Sequence, residues 1–318
     1  MNRRLVAVVV CVAAFGLSGA AAESPPTHLA LRIGLMPAAD SIPLVVADAA
    51  GLYAREGVTV DLVPFNGQLE RETALQTGAL DGTVTDLVNA IQGWRHGSGA
   101  RAASITQGDF CLLAAPTSTM RTLADWPQSG RTVRTGMLEN SIVNYLTQRM
   151  LTSAGANPGQ VELVPIVQLP ARLEMLLAGK VEAACLPEPL ASVAVTRGAR
   201  RLADSEGSGA TPGALLFTGK ALSEKAPDIA AFYRAYDAAV DRLAASPGAF
   251  REEISRGCAF PPGAADVMRM PRFTHHALPP AALVDDVAAW MVRTGLLDKR
   301  PEYTDIVTAD FASHASSP

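Results

Sequence analysis

The sequence predicts an α/β protein with two lobes, each built on a mainly parallel sheet, and a ligand cleft at the hinge between them. Its 318 residues exceed what one compact core usually holds. Short apolar runs typical of strands alternate with helix-like segments, which favours parallel sheets with helical crossovers. This pattern restarts near Pro116 and returns near Pro212. The chain therefore crosses twice between the lobes, and we expect a cleft where it crosses.

The N-terminus has the pattern of an export signal. Arg3 and Arg4 precede an apolar run over 5–17, which is too short to remain in a bilayer, and Ala20-Ala21-Ala22 is a small-residue cleavage site. We predict a signal peptide over 1–22 and a mature chain in the periplasm. Lipoprotein anchoring at Cys11 is less favoured, because Val10 stands where a small residue is needed.

The first βα units follow in order. Strands are predicted over 29–35, 58–63 and 80–84, and helices over 69–76 and 87–94. An earlier helix, capped by Asp40 or Ser41, is expected to run through Leu52. Two further strands, over 101–106 and 110–115, complete the first series.

After Pro116 the alternation begins again. Strands are predicted over 132–137, 161–167, 181–186 and 201–203, and helices over 170–177 and 190–196. A further helix, capped by Asn140 or Ser141, runs to Ala154. The first lobe is predicted to comprise 29–113 plus 214–312, and the second 114–213.

The last third returns to the first lobe. Residues 205–213 have the composition of a loop or hinge, and 214–218 follow as a strand. An amphipathic stripe from Ile229 to Leu243 predicts a long helix. Shorter helices are expected over 248–257, 264–270 and 280–295.

The candidate ligand contacts stand at strand ends, because ligands bind parallel sheets at the carboxyl ends of the strands. The predicted contacts are Asp40, Ser41, Gln68, Thr85, Asp86, Gln107, Asn140 and Glu188. Alternatives stay open for two of the acids. Asp40 is either a helix N-cap or a ligand contact, and Asp86 either caps the helix that begins at Leu87 or accepts a hydrogen bond from the ligand.

One segment resembles a known family signature. Gly51-Leu52-Tyr53, followed by Glu56-Gly57-Val58, is similar to the signature of substrate-binding proteins of ABC importers, in the group of sulfonate, taurine, nitrate and thiamine-pyrimidine binders (NMT1/THI5-like). Ala74-Leu75 with Gly78 and Asp81, the Glu188-Pro189 step and Ala230-Phe232 follow in the same order. The resemblance implies a type II periplasmic-binding-protein fold whose lobes close over a small molecule and present it to an inner-membrane permease.

The charge of the ligand is inferred from the acids at the corners. Asp40, Asp86, Glu139 and Glu188 have few basic residues close to them in sequence. That pattern favours a neutral or cationic nitrogen-containing ligand, such as a pyrimidine, over a sulfonate or nitrate anion, although helix N-termini also bind anions. The net charge of −4 disfavours nucleic acid as a partner.

We expect a monomeric binding protein and no enzyme, because the sequence has no GxSxG or HExxH motif. An enzyme on the same fold is the alternative, and docking on a sensory receptor is left open beside transport. No cofactor or metal is predicted, and His275-His276 is assigned to a surface loop. Cys111, Cys185 and Cys258 are expected as buried thiols rather than a disulfide pair.

Overall fold

A computed structural model describes residues 30–206 and 211–311. The predicted signal peptide over 1–22 and part of the predicted loop over 205–213 lie outside these residues. In chain order the strands are β1 Leu31–Leu35, β2 Val60–Pro64, β3 Gly82–Asp86, β4 Arg101–Ile105, β5 Phe110–Ala114, β6 Val133–Met137, β7 Val161–Pro165, β8 Ala183–Pro187, β9 Arg200–Asp204 and β10 Gly213–Phe217.

The α-helices of these described ranges are α1 Ile42–Ala49, α2 Leu52–Arg55, α3 Gln68–Gln76, α4 Leu87–Arg95, α5 Asp125–Gln128, α6 Ile142–Ser153, α7 Leu169–Leu177, α8 Leu190–Thr196, α9 Gly219–Glu224, α10 Ala226–Ala245, α11 Arg251–Gly257, α12 Ala264–Val267, α13 Ala281–Arg293 and α14 Tyr303–Ile306. Short 3₁₀ turns cover Ala39–Ser41 and Pro158–Gln160. None of these helices is both long and apolar enough to cross a membrane.

The strands form two five-stranded sheets. The first has the order β2-β1-β3-β10-β4 and the second the order β7-β6-β8-β5-β9. In each sheet the fourth strand runs against the other four: β10 is antiparallel to β3 and β4, and β5 is antiparallel to β8 and β9. The predicted two-lobed, mainly parallel α/β fold is confirmed.

The predicted lobe boundary after residue 113 is wrong, because it leaves β5 in the first lobe. The structure pairs β5 with β8 and β9 of the second sheet, so the chain crosses at residues 106–109. β10 makes the reciprocal exchange and joins the first sheet, as predicted. Both faces of these two strands are buried, and an unbroken apolar run shows no period that indicates which sheet it will join.

The single helix expected through Leu52 is also wrong. α1 ends at Ala49, and a separate turn, α2, begins at Leu52. Gly51 between them has a φ of +65°, in the left-handed region where glycine has no Cβ penalty and where helices commonly end.

Three apolar cores stabilise this architecture. One lies between the first sheet and α1 and α10, and includes Ile33 and Phe232. A second lies between the second sheet and α7 and α8. The third is shared by the lobes and brings together Val88 of α4, Tyr145 of α6 and Trp290 of α13. Tyr145 and Trp290 meet edge to face with their ring centroids 5.5 Å apart. The two lobes therefore pack against one another beside the cleft.

An internal repeat relates the two lobes. The segment Val60-Asp61-Leu62-Val63-Pro64 recurs 101 residues later as Val161-Glu162-Leu163-Val164-Pro165, and Arg71, Leu75 and Gly78 recur at the same offset as Arg172, Leu176 and Gly179. The order β2-β1-β3 matches β7-β6-β8. Even the ion pair between Arg32 and Asp61, at 3.4 Å, recurs between Arg134 and Glu162, at 3.6 Å.

We predict that Gly82→Ala destabilises the first lobe. An added Cβ would lie 2.6 Å from the backbone oxygen of Leu216 in β10, so the central strands would have to separate. The expected loss in the free energy of unfolding is about 1–3 kcal/mol, measured by urea denaturation. Gly248→Ala is the control, because its Cβ would lie no closer than 3.8 Å to a neighbour, the side chain of Arg251. Equal stability of the two variants would contradict the packing described for β3.

Candidate functional site

A cavity of about 90 Å³ lies between the lobes. Met36 and Ala38, which follow β1, contribute to its lining together with Thr85 and Asp86 at the end of β3 and Leu138 after β6. These are the carboxyl ends of parallel strands from both sheets, which is where the topology places a ligand.

The first lobe supplies the polar part of the lining. Asp40, Gln68, Arg71, Thr85 and Asp86 all belong to it. The second lobe supplies mainly apolar side chains: Leu138, Ile142, Val143, Val167 and Leu169. Ser141 and Arg172 are the exceptions on that side, and the Ser141 hydroxyl donates to the carbonyl oxygen of Leu138 at 2.6 Å. A bound molecule would thus meet a polar wall on one side and an aliphatic wall on the other.

Four of the eight predicted contacts line this cavity: Asp40, Gln68, Thr85 and Asp86. Asp86 is also the N-cap of α4, since one carboxylate oxygen accepts from the Asn89 backbone N–H at 2.9 Å. Its other oxygen accepts from the Asn89 side chain at 2.8 Å, and Asn89 in turn accepts from Gln68 at 2.8 Å. The capping role of Asp86 is therefore observed, and each of its two oxygens already has one partner.

The other four predicted residues do not line the cavity. Ser41 is buried behind it, and its hydroxyl donates to the Met36 carbonyl at 3.0 Å. Gln107 bonds Thr274, with its side-chain nitrogen 2.9 Å from the Thr274 hydroxyl. Asn140 is exposed, and its carbonyl accepts from Gln92 across the lobes at 2.8 Å. Glu188 is fully buried and bound to Arg201 and Ser192.

Ser41 and Ser141 hold the predicted N-cap positions of α1 and α6, but neither side chain makes a capping hydrogen bond. Neither Asp40 nor Ser41 caps α1 with its side chain, because the 3₁₀ turn Ala39–Ser41 leads directly into the helix and the Ser41 backbone is already helical. At α6, Ser141 holds the N-cap position without a side-chain cap, and its hydroxyl bonds a carbonyl instead. Of the two roles left open for Asp40, helix N-cap or ligand contact, the first is therefore excluded.

Arg71 is a cavity residue that the sequence reasoning missed. Only 5% of its surface is exposed. One terminal nitrogen donates to the Thr85 hydroxyl and to Glu72, each at 2.7 Å. Its Nε is buried without a hydrogen-bond partner among the described residues. Arg71 therefore has donor capacity left at the cavity.

Arg172 is the repeat partner of Arg71 and also lines the cavity, but its guanidinium is used differently. It donates to the carbonyl oxygens of Ile166, at 2.8 Å, and Cys185, at 3.1 Å. The residues that correspond to Glu72 and Thr85 at the repeat offset are Leu173 and Leu186, which offer no side-chain acceptor. Arg172 therefore links the ends of β7 and β8 through these hydrogen bonds. Burial lowers the pKa of its guanidinium to about 10.

The 101-residue repeat is the sequence signal that identifies both arginines. Each arginine stem passes over a glycine of the neighbouring strand. A Cβ at Gly34 would lie 3.3 Å from Cγ of Arg71, and one at Gly136 would lie 3.6 Å from Cγ of Arg172. The contact at Gly34 is tight, so a side chain there would press on the Arg71 stem, whereas 3.6 Å at Gly136 is an ordinary van der Waals distance.

The two acids of the cavity are electrostatically unusual. Burial raises the pKa of Asp40 to about 6, although the nearby Arg71 guanidinium lowers it. Burial likewise raises the pKa of Asp86 to about 6, against the hydrogen bonds from Asn89 and the charge of Arg71. One oxygen of Asp40 is 3.5 Å from the Thr106 hydroxyl, and the other is buried with no partner among the described residues.

A second polar cluster lies at the hinge. The ligand atoms of Asp109, Cys111 and Glu188 lie within 4.8 Å of one another, as in a metal site. Arg201 already supplies a cation there: it lies 2.7 Å from Glu188 and 3.6 Å from Asp109, and it contacts the Cys111 sulfur. We therefore interpret the cluster as a structural ion pair that ties β9 to the crossing before β5.

The remaining cysteines and histidines lie outside the cavity lining. Cys111, Cys185 and Cys258 are buried and unpaired, as predicted. His276 departs from the expected surface loop, because it is partly buried, stacks on Tyr233 at 4.4 Å and bonds Asp237 at 2.8 Å. His275 is exposed and bonds Asp241 at 2.8 Å.

Residues 24–258 of the sequence match the NMT1-like family. The chain belongs to this family. The membership predicted from the Gly51 to Val58 signature is thereby confirmed. No curated protein shows a significant sequence match to the chain.

Solved structures share the fold of this NMT1-like protein. The ligand-binding component of an ABC-type import system from Staphylococcus aureus, with zinc bound, has a TM-score of 0.72 at 17% identity, covering 90% of this chain and 99% of that one. The alkanesulfonate-binding protein SsuA from Xanthomonas axonopodis pv. citri, bound to MOPS, has a TM-score of 0.70 at 21% identity, covering 87% and 97%. The desulfurization enzyme DSZB has a TM-score of 0.62 at 16% identity, covering 89% and 97%. The predicted periplasmic-binding-protein fold is confirmed, and it carries both binding proteins and an enzyme.

We predict that Asp40→Asn stabilises the ligand-free protein as the pH rises. Because the folded pKa of Asp40 is about 6 and its usual value is 3.8, the wild type loses stability as the pH rises through this interval. Asparagine does not titrate, so the variant should become more stable relative to wild type by about 2–3 kcal/mol between pH 4 and pH 7. Urea denaturation across this range measures the difference.

Asp125→Asn is the control for this titration. Asp125 is exposed, and backbone hydrogen bonds from Thr122 and Arg121 lower its pKa. By linkage the wild type gains a little stability just above pH 4, so the stability difference for this variant should shift slightly in the opposite direction there and stay flat above about pH 5. A flat difference for Asp40→Asn would contradict the environment described for Asp40.

Proposed function

We propose that this NMT1-like protein is an exported solute-binding protein that captures a small molecule between its lobes and delivers it to the permease of an ABC importer. The observation that carries the proposal is the interlobe cavity, with a polar wall from one lobe and an apolar wall from the other. Two chain crossings join the lobes, so closure over a solute and reopening need only a hinge movement. The likeness to import-system components supports this role.

The cavity favours a ligand with an acidic group. The sequence expectation of a neutral or cationic, pyrimidine-like ligand depended on a lack of basic residues near the acids. In the folded protein two basic residues do lie close to the acids, because the buried Arg71 and Arg172 both line the cavity. The Nε–H of Arg71 has no hydrogen-bond partner among the described residues, and a guanidinium binds carboxylates and sulfonates through charge-assisted hydrogen bonds. We therefore favour an organic anion, the alternative that the sequence left open.

Binding without chemistry is the role that the lining residues support. No cysteine or histidine is among the described residues that line the cavity. The Thr85 hydroxyl donates to Glu72 at 3.2 Å while it accepts from Arg71 and Asn89. The Ser141 hydroxyl bonds a carbonyl. The Glu72 oxygen that accepts from Thr85 is already ion-paired with Arg71 at 2.7 Å, which makes it a poor base for activating that hydroxyl. The relation to an enzyme therefore remains one of fold.

The proposed role also implies a location and an oligomeric state for the protein. An export signal over 1–22 would place the mature chain in the periplasm, where a soluble carrier meets an inner-membrane permease. The cavity is formed within one chain by its own two lobes, so a monomer is sufficient for binding. Native mass spectrometry of protein purified from the periplasm tests the proposal, since a retained small acid supports it. Recovery of the precursor in the cytoplasm, or catalytic turnover of the retained compound, would contradict it.

We predict that Arg71→Gln weakens binding of small organic anions about 10-fold or more, because a charged hydrogen-bond donor is lost from the cavity. Isothermal titration with ethanesulfonate and propionate measures the effect. The repeat provides a matched control in Arg172→Gln. Arg172 bonds carbonyl oxygens, so its loss should lower the melting temperature more than the affinity. Two results together would contradict the proposal of an anionic ligand. They are that neither protein binds an anion, and that Arg71→Gln binds a cationic heterocycle more tightly than the wild type does.

A further inference from the structure

The polar wall of the first lobe contains a chain of side-chain hydrogen bonds that ends at the cavity. It begins at Asp86, whose Oδ2 accepts from Nδ2 of Asn89 at 2.8 Å. Oδ1 of Asn89 in turn accepts from Nε2 of Gln68 at 2.8 Å. Asp86 and Asn89 are buried, whereas Gln68 is half-buried and lines the cavity. The chain therefore connects a buried acid to an amide beside the ligand space.

The direction of the Asn89 amide is fixed by two acceptors. A side-chain amide has nearly the same shape after a half-turn, so its partners decide which end is nitrogen. Ionised Asp86 only accepts. The Thr85 hydroxyl donates its one proton to Glu72 at 3.2 Å and accepts from Arg71 at 2.7 Å. Its second lone pair accepts from Nδ2 of Asn89 at 3.1 Å. Asn89 therefore has to face both groups with its nitrogen.

Asp86 has no proton to donate at neutral pH. Burial raises its pKa to about 6, and the charge of Glu72 adds to this effect. The hydrogen bonds from Asn89 and the charge of Arg71 act in the opposite direction. Above pH 7 the carboxylate is therefore ionised, and each of its oxygens accepts from Asn89, one from the backbone N–H and the other from the side chain.

The direction of Asn89 decides the direction of Gln68. Because Asn89 offers an oxygen, Gln68 has to donate to it, and its own Oε1 points to the other side of the amide. No described residue donates to that oxygen. A glutamine that could turn would offer an acceptor or two donors as the ligand required. This one is restricted to its oxygen and a single remaining N–H.

We propose that Asn89 is a positioning residue of the binding site, which passes the acceptor character of Asp86 to Gln68 so that Gln68 presents its oxygen to the ligand. This inference depends on the proposed function, because it concerns how that same site recognises its solute. The lone pairs of an amide oxygen repel an acidic group. The acidic group of the solute is thereby excluded from the Gln68 end of the wall, which fixes the direction in which the solute lies.

Neutron diffraction from deuterated crystals at pH 8 tests the amide directions, because it distinguishes a deuterated nitrogen from an oxygen. In the wild type, deuterium should lie on the Gln68 nitrogen that faces Asn89. Gln148, outside the cavity lining, is an internal control. Its oxygen accepts from the indole N–H of Trp290 and its nitrogen donates to Asn144, each at 2.9 Å, and an indole can only donate. The opposite direction at Gln68 overturns the proposal.

Asp86→Asn should reverse the whole chain in the same experiment. The Asn89 backbone N–H, which donates to Asp86 at 2.9 Å, would hold the oxygen of the new amide and leave its nitrogen facing the Asn89 side chain. Two amide nitrogens cannot bond one another, so Asn89 and then Gln68 should turn. Thr85 can redirect its proton to Asn89, because Glu72 keeps its ion pair at 2.7 Å. A Gln68 amide that keeps its wild-type direction overturns the proposal.

Isothermal titration with propionate and ethanesulfonate at pH 8 tests the effect on binding. Asn89→Leu frees Gln68 to turn its nitrogen to the anion, so affinity for at least one probe should rise about 3-fold or more. In a protein that carries Gln68→Met the same change should have no such effect. A merely structural Asn89 would instead weaken binding in both backgrounds.

An equal effect of Asn89→Leu on affinity in the two backgrounds overturns the proposal. If Asn89→Leu does not fold, Asp86→Asn takes its place in the same comparison. It keeps the oxygen that caps α4, and its gain in anion affinity should be larger with Gln68 than with Gln68→Met.

The outcomes separate this inference from the proposed function. Amide directions other than those stated, with propionate or ethanesulfonate bound, overturn the role of Asn89 and leave a solute-binding protein. If neither probe binds, the neutron structures decide the inference alone: reversal in Asp86→Asn supports it, and an unchanged Gln68 overturns it. The proposed function is then decided separately, by the solute that the purified protein retains.

Discussion

The cleft depends on one buried charge, the guanidinium of Arg71. It is held by Thr85 and Glu72, and its stem passes over Gly34. A buried guanidinium is stable only when nearby acceptors satisfy it, and the first lobe supplies acids around it. Those acids are Glu72, Asp40 and Asp86, and the last two have raised pKa values because they are buried with it. The polarity of the first lobe thus follows from accommodating this arginine.

The internal repeat shows how the two lobes diverged in chemistry while keeping one backbone plan. The repeated arginine keeps its place after β7, but the leucines at the positions that match Glu72 and Thr85 leave it only carbonyl oxygens. One arginine therefore remains available at the cavity, and the other strengthens the ends of two strands. The asymmetry gives the ligand a polar wall in one lobe and an aliphatic wall in the other, which suits a solute with a charged head and a short apolar part.

Much of the fold could be predicted from the sequence because strand and helix periods are local. The three parallel strands of each lobe and most of the helices between them were predicted from these periods, whereas the family was predicted from the resemblance of the Gly51 to Val58 segment to a known signature. The exchange of β5 between sheets was not, since an apolar run does not encode its partner. Of the site, Asp40, Gln68, Thr85 and Asp86 were found from strand ends, whereas Arg71 and Arg172 lie inside helices and reach the cavity only through the tertiary fold.

A crystal structure of the protein with its retained or added ligand tests the central claim most directly. The account predicts an acidic group of the ligand within hydrogen-bond distance of Arg71 and its carbon chain against Ile142 and Leu169. Arg172 should keep its bonds to the Ile166 and Cys185 carbonyls. A ligand held by Arg172 instead, with Arg71 still bound only to Thr85 and Glu72, would contradict it.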